Sequence, residues 1–399
     1  MPTTIVAVLA VALCVAVVVI VVLAGNHKHC DVCAICDGSK DADGDCPHCK
    51  PPVPECPECP VQEYTCGTIP VMNDARRRHA VAAAHGRLYA FGGEGQFASA
   101  LDTVEYYDYT FDNDEKWTST TPMNNSRVDL AGAVINGKVY ATGGYSVAFG
   151  VSTVLSTVER FDPTSDNPNW TDALPMKQSR FGHAACGVQG ETEFDSKIYV
   201  LGGREALNGP PLNTVEVYDF GKNTWTNMPA MNKYRTNFAV AVVDNVLYAI
   251  GGHVSGVATN SVESLDLTNP SASWMTKASM IHKRQGHTVA VIKGTIVVIG
   301  GASNAPTEIY DGVPDRWKTF VPFDQTSWFS ADVVVNDKLY RTGGAVNATT
   351  ILSYPYLSLS PATKTVTVHN LGFTESWRST WGFFRISSQS CILYKTPDQ

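Results

Sequence analysis

The sequence predicts an all-β fold in which six similar four-stranded units form the blades of a propeller. Six Gly-Gly pairs divide the chain at intervals of 51, 59, 49, 49 and 43 residues, and each pair follows a short apolar run. Self-similarity at a fixed period of this size is typical of repeat architectures. A tryptophan recurs 17 to 27 residues after each of the first five pairs. The pairs begin at Gly92, Gly143, Gly202, Gly251, Gly300 and Gly343.

The third unit shows the four predicted strands in chain order. Its inner strand lies in Arg180–Cys186, and its second strand begins at Lys197 and leads to the Gly pair. The alternating pattern of Thr214–Asp219 predicts the third strand, and Trp225 marks the fourth. Alternation and β-branched residues favour strands, while Gly, Pro and Asn favour the turns between them. The other units repeat this scheme.

The tryptophans indicate how the units pack. A four-stranded sheet with two apolar faces cannot bury both faces alone, whereas radial stacking covers each sheet with its neighbours. The large indole suits the gap between adjacent sheets. Gly-Gly suits the place near the axis where strands converge and a side chain would clash. The five tryptophans are Trp117, Trp170, Trp225, Trp274 and Trp317.

These features together resemble the kelch repeat of β-propeller proteins. The Gly pair, the aromatic residue beside Asp219 and the spaced tryptophan carry the resemblance, which extends over residues 64–356. The sixth unit departs from the pattern, because Trp328 stands near the expected arginine and Tyr354-Pro355 replaces the aromatic-Asp pair. The resemblance implies a six-bladed kelch propeller with one degenerate blade.

Closure of the ring explains the degenerate blade. The segment Tyr64–Met72 imitates Trp225–Met231, so we expect it to supply the outer strand of blade six. Such closure removes free sheet edges. Lys364–Val368 is the alternative closing strand. We therefore expect the propeller to span residues 64–369, and residues 370–399 to form a C-terminal extension without an assignment.

The N-terminal region, residues 1–25, is predicted to be a membrane anchor. Residues 5–24 are apolar and carry no charge, which matches the length of a bilayer-spanning helix. A cleaved signal sequence is the alternative. Lys28 and Lys40 favour a cytosolic C-terminal side, whereas three glycosylation sequons in predicted loops favour an extracellular or lumenal propeller, which is our expectation. The sequons are at Asn124, Asn169 and Asn347.

Residues 26–63 are predicted to be a stiff stalk rich in Cys and Pro. In a reducing compartment the Cys-x-x-Cys pairs suggest a zinc site. Outside the cell they suggest disulfides, within the stalk or between chains of an oligomer. We favour disulfides, because disulfides and glycosylation sequons both fit a location outside the cytosol. Apart from zinc in the reducing case, we expect no cofactor. The cysteines of this region, including the one just beyond it, are Cys30, Cys33, Cys36, Cys46, Cys49, Cys56, Cys59 and Cys66.

A series of arginines is the strongest candidate site. Each opens the inner strand of its blade, so symmetry gathers them around the central channel. A ring of guanidinium groups there would bind carboxylate, sulfate or acidic sugar groups. The alternative is a structural role, in which each arginine pairs with a repeated carboxylate among Glu105, Glu159, Glu216, Glu263 and Glu308. The arginines are Arg78, Arg127, Arg180, Arg235 and Arg284.

Three histidines beside these arginines, His79, His183 and His287, belong to the repeat, so a metal site is not favoured. The resemblance also brings enzyme precedents: sialic-acid-epimerase-like propellers use Arg with Glu or His at the channel mouth, and galactose-oxidase-like propellers carry copper. No residues here single out either chemistry. The net charge of −8 disfavours nucleic acid as a partner.

We therefore expect a membrane-anchored binding protein that displays the propeller to a protein or acidic glycan. A carbohydrate-active enzyme is the alternative. Long insertions at 144–157, 203–213 and 187–196 predict an asymmetric rim around blades two and three.

Overall fold

The computed structural model describes residues 18–21, 62–65, 69–110, 116–254, 256–269, 271–302, 305–319, 328–336, 338–344, 355–356 and 360–361. Two compact units are distinguished, one of residues 1–66 with 360–399 and one of residues 67–359. In the first unit, β1 (Val18–Val21) pairs antiparallel with β2 (Gln62–Thr65).

The second unit begins with three four-stranded antiparallel sheets, which are blades one to three. In β3 and β7 every second residue is buried, as expected for strands packed between neighbours. Blade one contains β3 (Ala80–Ala84), β4 (Arg87–Phe91), β5 (Val104–Asp108) and β6 (Thr118–Thr120); blade two contains β7 (Ala131–Ile135), β8 (Lys138–Thr142), the inserted hairpin of β9 (Tyr145–Ala148) and β10 (Val151–Val154), β11 (Val158–Phe161) and β12 (Trp170–Ala173); blade three contains β13 (Ala184–Val188), β14 (Lys197–Leu201), β15 (Val215–Asp219) and β16 (Thr224–Met228).

Blades four and five are also four-stranded, and blade six has three described strands. Short 3-10 turns, Gln96–Ala98 and Glu193–Asp195, are the helical segments of the described residues. Blade four contains β17 (Ala239–Val243), β18 (Val246–Ile250), the short hairpin of β19 (His253–Val254) and β20 (Val257–Ala258), β21 (Val262–Asp266) and β22 (Met275–Lys277); blade five contains β23 (Thr288–Ile292), β24 (Thr295–Ile299), β25 (Glu308–Asp311) and β26 (Arg316–Thr319); blade six contains β27 (Ala331–Val335), β28 (Lys338–Thr342) and β29 (Pro355–Tyr356).

The six inner strands contact one another in a closed ring, β3 to β7, β13, β17, β23, β27 and back to β3. This closure makes the second unit an all-β propeller, as the sequence predicts. A further strand, β30 (Ser360–Pro361), belongs to the first unit and pairs with β2.

The tryptophans fill the gaps between blades and also anchor them. Each indole is at least 92% buried, and each Nε1 donates a hydrogen bond to a backbone carbonyl of the segment that leads into its own blade. The two bonded atoms are 2.8–3.2 Å apart. The acceptors are Pro70, Thr121, Leu174, Pro229 and Ala278.

The acceptor at Pro70 bears on the closure of the ring. Residues 69–73 contact blade one as residues 120–124 contact blade two: Pro70 accepts from Trp117, and Met72 is 2% exposed. The preceding residues Gln62–Thr65, by contrast, form β2 in the first unit. The alternative closing strand at 364–368 lies outside the described residues, so the closing strand stays a prediction.

The predicted anchor, residues 5–24, also lies outside the described residues, except for Val18–Val21, which are a strand rather than part of a helix. Within the described ranges, no helix is long and apolar enough to cross a membrane. Of the predicted stalk only Gln62 and Glu63 are described, and the extension at 370–399 is not.

Candidate functional site

Two sides of the propeller can be distinguished from the strand register. The inner strand begins where the second strand ends, as the pairing of Ala80 with Phe91 illustrates in blade one. The Gly pairs and the loops that join second to third strands therefore lie on one side, which we call the loop face. The opposite side, the turn face, carries the turns between inner and second strands and the loops before the outer strands.

The predicted arginines of blades two to five are fully buried. Their side chains are 0% exposed, and each guanidinium donates to the carboxylate of a glutamate on the third strand of the same blade. In blade two, for example, Arg127 Nη2 lies 2.8 Å from Glu159 Oε1, and Arg127 Nη1 lies 2.7 Å from the carbonyl oxygen of Gly143. Burial lowers the pKa of all four arginines, but the glutamates oppose this shift. These groups are closed to a ligand and hold the strands together.

The glutamate partners are equally saturated. Glu159 also accepts hydrogen bonds from the backbone N–H groups of Asn124 and Asn125, in the segment that leads from blade one into blade two. The same arrangement recurs at each predicted carboxylate, which thereby joins an arginine to two backbone donors. The contacts therefore support the structural role of these arginines, which the sequence left open as an alternative. The same contacts engage the Arg and Glu side chains that the carbohydrate-active enzyme alternative would need.

Blade one requires a correction. The buried arginine there is Arg76, not Arg78, and it binds Glu105 at 2.7 Å. The sequence Arg76-Arg77-Arg78 allowed three registers. The spacing could have resolved them, because Arg180 stands three residues before His183 and Arg76 stands three before His79.

Arg78 instead belongs to a ring of residues that surrounds the loop-face end of the channel. One residue from each blade adopts a left-handed conformation with φ between 51° and 59°. The N–H of each donates to the carbonyl of its counterpart in the preceding blade, over 2.8–3.0 Å, so that six hydrogen bonds form a closed belt. The belt consists of Arg78, Asp129, Gly182, Asn237, Gly286 and Phe329.

Sequence reasoning missed this belt, although a signal was present. Asp129, Gly182, Asn237 and Gly286 each stand two residues after the buried arginine, and Gly, Asn and Asp are the types that most readily adopt this conformation. At Gly182 the conformation is combined with close approach, since a Cβ would lie 2.6 Å from Thr236 Oγ1.

The side chains of the belt give the channel mouth a polar, asymmetric lining. Arg78 Nη1 lies 3.1 Å from Asp129 Oδ2, and the Arg78 guanidinium stands 4.6 Å from the ring centre of Phe329. Beside it, Arg77 donates to both carboxylate oxygens of Glu94. Burial raises the pKa of Asp129, and Arg78 opposes that shift. The mouth encloses about 120 Å³, which is room for a few non-hydrogen atoms.

The three histidines lie behind the belt. His79 Nε2 is 2.8 Å from Thr342 Oγ1, and His183 Nε2 is 2.9 Å from Thr142 Oγ1. Burial, with nearby arginines, lowers the pKa of all three, that of His287 to about 3, so they are neutral. In the part of the chain that is described, no group of three His, Cys, Asp or Glu side chains is arranged to hold a metal ion.

Large apolar side chains are exposed mainly on the loop face. Phe97 and Phe149 are 99% and 107% exposed at the tips of the loops of blades one and two. Both have positive φ, 59° and 49°, which is uncommon for a bulky residue. Further exposed apolar residues of this face include Val147, Val151, Leu207, Tyr234 and Val257. We call these seven residues the apolar rim. Sequence reasoning missed it, because exposure depends on the path of each loop.

The three insertions that predict an asymmetric rim do not all lie on the same face. Residues 144–157 and 203–213 join second to third strands and lie on the loop face. Residues 187–196 join an inner strand to a second strand, so they lie on the turn face instead. The exposed Phe194, at 71%, belongs to that turn-face insertion.

The predicted glycosylation sites differ in their surroundings. Asn169 lies on an exposed turn-face loop, and its Nδ2 donates to the nearby carbonyl of Asn167. Asn124 Nδ2 instead donates to the carbonyl of Trp170, as Asn73 and Asn232 do to Trp117 and Trp274. Asn347 lies outside the described residues.

The stalk cysteines, Cys30 to Cys66, are likewise outside the described residues. The cysteine that is described, Cys186, is unpaired. Burial raises the pKa of its thiol to about 12, which makes it unreactive near neutral pH.

Comparisons with known proteins agree with this architecture. A family model described as the KLHDC2/KLHL20/DRC7 Kelch-repeats domain matches residues 165–344, and a Kelch motif model matches residues 75–124 and 126–167. A solved structure titled "Structure of YjhT" aligns with a TM-score of 0.63, at 15% identity, over 73% of this chain and 97% of that chain. At this identity the alignment supports the fold alone.

Sequence relatives are Kelch-like proteins. Kelch-like protein 36 of Bos taurus is 26% identical over 255 residues, which are 61% of this chain and 39% of the relative. Kelch-like protein 23 of Homo sapiens is 28% identical over 207 residues, 52% of this chain and 35% of the relative. The matches thus cover less than two fifths of these relatives.

Proposed function

The chain belongs to the kelch-repeat β-propeller family, and from this premise we propose that it is a binding protein whose loop face contacts a protein partner. The kelch propeller is a protein-interaction domain in the Kelch-like relatives. The apolar rim is the observation that carries the choice of face.

The distribution of exposed apolar side chains supports the loop face. The rim has seven large apolar residues, whereas Phe194 and Val313 are the exposed ones in the described turn-face loops. Exposed apolar side chains that are concentrated on one face of a protein indicate an interaction site. Phe97 and Phe149 are held in backbone conformations that cost roughly 1–3 kcal/mol elsewhere, and such strain is often found at ligand-binding positions.

The channel mouth complements the rim. Interfaces combine apolar and aromatic side chains with a smaller number of polar groups, and arginine is enriched among their residues. Arg78 is 30% exposed and lies between Asp129 and Phe329, where it can contact a partner's backbone carbonyl or carboxylate. We expect the rim to supply most of the binding energy and the mouth to supply specificity.

A photo-crosslinking amino acid at position 149, compared with one at position 194, identifies the partner and the face that it contacts. Binding of the purified partner is then measured for the double variant Phe97→Ser with Phe149→Ser. Loss of two aromatic contacts should weaken binding at least tenfold, or about 1.4 kcal/mol. The matched control, Phe194→Ser with Val313→Ser on the turn face, should remain within twofold. Equal losses for both pairs would count against a loop-face site.

We also propose that residues 5–24 anchor the chain in a membrane and that residues 26–63 form a disulfide-linked spacer outside the cytosol. The uncharged apolar run and the sequons support this arrangement. If it holds, Asn169 is the main acceptor among the described sequons, because Asn124 Nδ2 is engaged between blades. Glycosidase treatment should then increase gel mobility, and Asn169→Gln should remove more of that change than Asn124→Gln. No mobility change would count against N-glycosylation and thus against the evidence that the sequons offer for a propeller outside the cytosol.

A further inference from the structure

The hairpin of β9 and β10 in blade two projects from the loop face and has an unusual composition. Residues 145–156 contain no charged side chain, and five of the twelve are Val, Thr or Leu. Phe149 and Gly150 form its two-residue turn, with φ of 49° and 77°. Positive φ at both turn residues is the signature of the type I′ turn that joins tightly paired strands.

The register determines which backbone groups point outward. With a two-residue turn, Ala148 and Val151 form a hydrogen-bonded pair, and hydrogen-bonded and non-hydrogen-bonded pairs then alternate along the strands. Val147, Ser152 and Val154 therefore direct their N–H and C=O groups away from the hairpin. The contacts agree, because Tyr145, opposite Val154, exchanges both of its backbone hydrogen bonds outward with Val128.

The two edges of the hairpin differ in occupancy. Val128 already occupies the base of the β9 edge. On the β10 edge, none of the hydrogen bonds found among the described residues involves the N–H or C=O of Ser152 or Val154. Natural proteins protect such edges with charged side chains, proline or bulges. Strand β10 has none of these three devices.

We propose that β10 pairs antiparallel with β10 of a second copy of this chain. A two-fold axis at Thr153 places Ser152 opposite Val154 of the partner copy, and each of these two pairs exchanges two hydrogen bonds. The edge is thus self-complementary, as an isologous interface requires. A second copy is favoured over a foreign strand because it has the same uncharged sequence, so that pairing brings no like charges together. This inference goes beyond the proposed function and does not depend on it.

Sedimentation velocity of the purified full chain in detergent, under reducing conditions, tests the pairing. A four-stranded sheet held by two short strands should give a weak dimer, with a dissociation constant of about 0.1 mM. Ser152→Pro removes one outward N–H while leaving the hydrogen bonds within the hairpin, and should weaken the dimer at least tenfold. Val147→Pro makes the same change on the β9 edge and should leave it within threefold.

Both variants retain residues 5–24 and every cysteine, so association through those segments affects them equally. Thermal unfolding followed by circular dichroism verifies that both are folded. Thr153→Cys adds a direct readout, because peptide mass spectrometry should find a 153–153 disulfide after mild oxidation. A wild-type chain that stays monomeric up to about 0.5 mM, or equal weakening by the two proline variants, would overturn the proposal. If only partner binding is lost in Ser152→Pro, the edge accepts a foreign strand instead.

Discussion

Blades one to five and blade six contain different buried ion pairs. In the first five blades an arginine before the inner strand binds a glutamate of the third strand, and that glutamate also accepts two backbone N–H groups. In blade six, Arg341 and Asp332 pair across β27 and β28, with Nε–Oδ1 and Nη2–Oδ2 distances of 2.9 and 2.8 Å. Their side chains are 4% and 0% exposed, and Arg341 also donates to Thr288 of blade five.

The positions of the two kinds of pair explain the difference. Each repeated arginine donates to the carbonyl of the first glycine of the Gly pair, after the second strand, and to a carbonyl before the third strand, as Arg127 does to Gly143 and Thr157. The Arg341 and Asp332 positions are occupied by small or apolar residues in every other blade, for example Ala141 opposite Gly132 and Val298 opposite Val289. The repeated pair therefore provides hydrogen bonds to backbone groups that need a partner. In the pair of blade six, Arg341 and Asp332 make most of their hydrogen bonds to each other.

The largest expected effect follows from removal of a repeated arginine. Arg180→Ala removes the cation that is paired with the buried carboxylate of Glu216 and the arginine donor to the carbonyl of Gly202, so we expect a loss of about 3–5 kcal/mol in the free energy of unfolding. Arg180→Lys should recover only part of it, because an ammonium cannot reproduce the fork of hydrogen bonds. Denaturant titration measures both. A loss below about 1 kcal/mol would contradict the structural role.

An intermediate effect is expected in blade six and distinguishes the two kinds of pair. Arg341→Val alone leaves the buried carboxylate of Asp332 without its cation and should lower the free energy of unfolding by about 3 kcal/mol. Adding Asp332→Val makes blade six resemble blade five, with Val298 opposite Val289, and should restore stability to within about 1 kcal/mol of the wild type. A double-mutant cycle by denaturant titration gives the coupling. If the double variant were less stable than either single one, the comparison would fail.

The smallest effect on stability at neutral pH is expected from replacing His287. Blades two and four carry Leu130 and Phe238 in the equivalent position. Burial, and then Arg284, lowers the pKa of His287 to about 3 from an ordinary 6.5. The unfolded chain therefore binds one more proton between these pH values, and stability falls as the pH drops through that window, by up to about 1.4 kcal/mol per pH unit.

His287→Phe removes this proton uptake. We expect a change of less than about 1.5 kcal/mol at pH 7.5, because the repeat tolerates Phe here. At pH 4.5 the variant should be more stable than the wild type, relative to their difference at pH 7.5. Unfolding free energies at several pH values measure the slope, and an unchanged slope would show that folding does not lower the pKa of His287.

Much of the fold and little of the site could be predicted from the sequence. The Gly pairs, the alternating strands and the tryptophans predict the blades, because their spacing reflects local geometry and a burial pattern that repeats. The arginine series was predicted as a binding ring with a structural alternative, and Arg78 was placed in the wrong register. The Asp332–Arg341 pair was not predicted, since a single pair has no repeat to reveal it.

By itself the sequence determined that this chain forms an all-β kelch propeller and which glutamates accompany the repeated arginines, because both follow from periodicity. Only the tertiary structure decided that those arginines are closed to solvent, that Arg78 faces the channel within a belt of six left-handed residues, and that Phe97 and Phe149 are exposed on one side. The reason is that the burial and the direction of a side chain depend on contacts between residues about 50 positions apart. The spacing of residues along the chain does not specify these contacts.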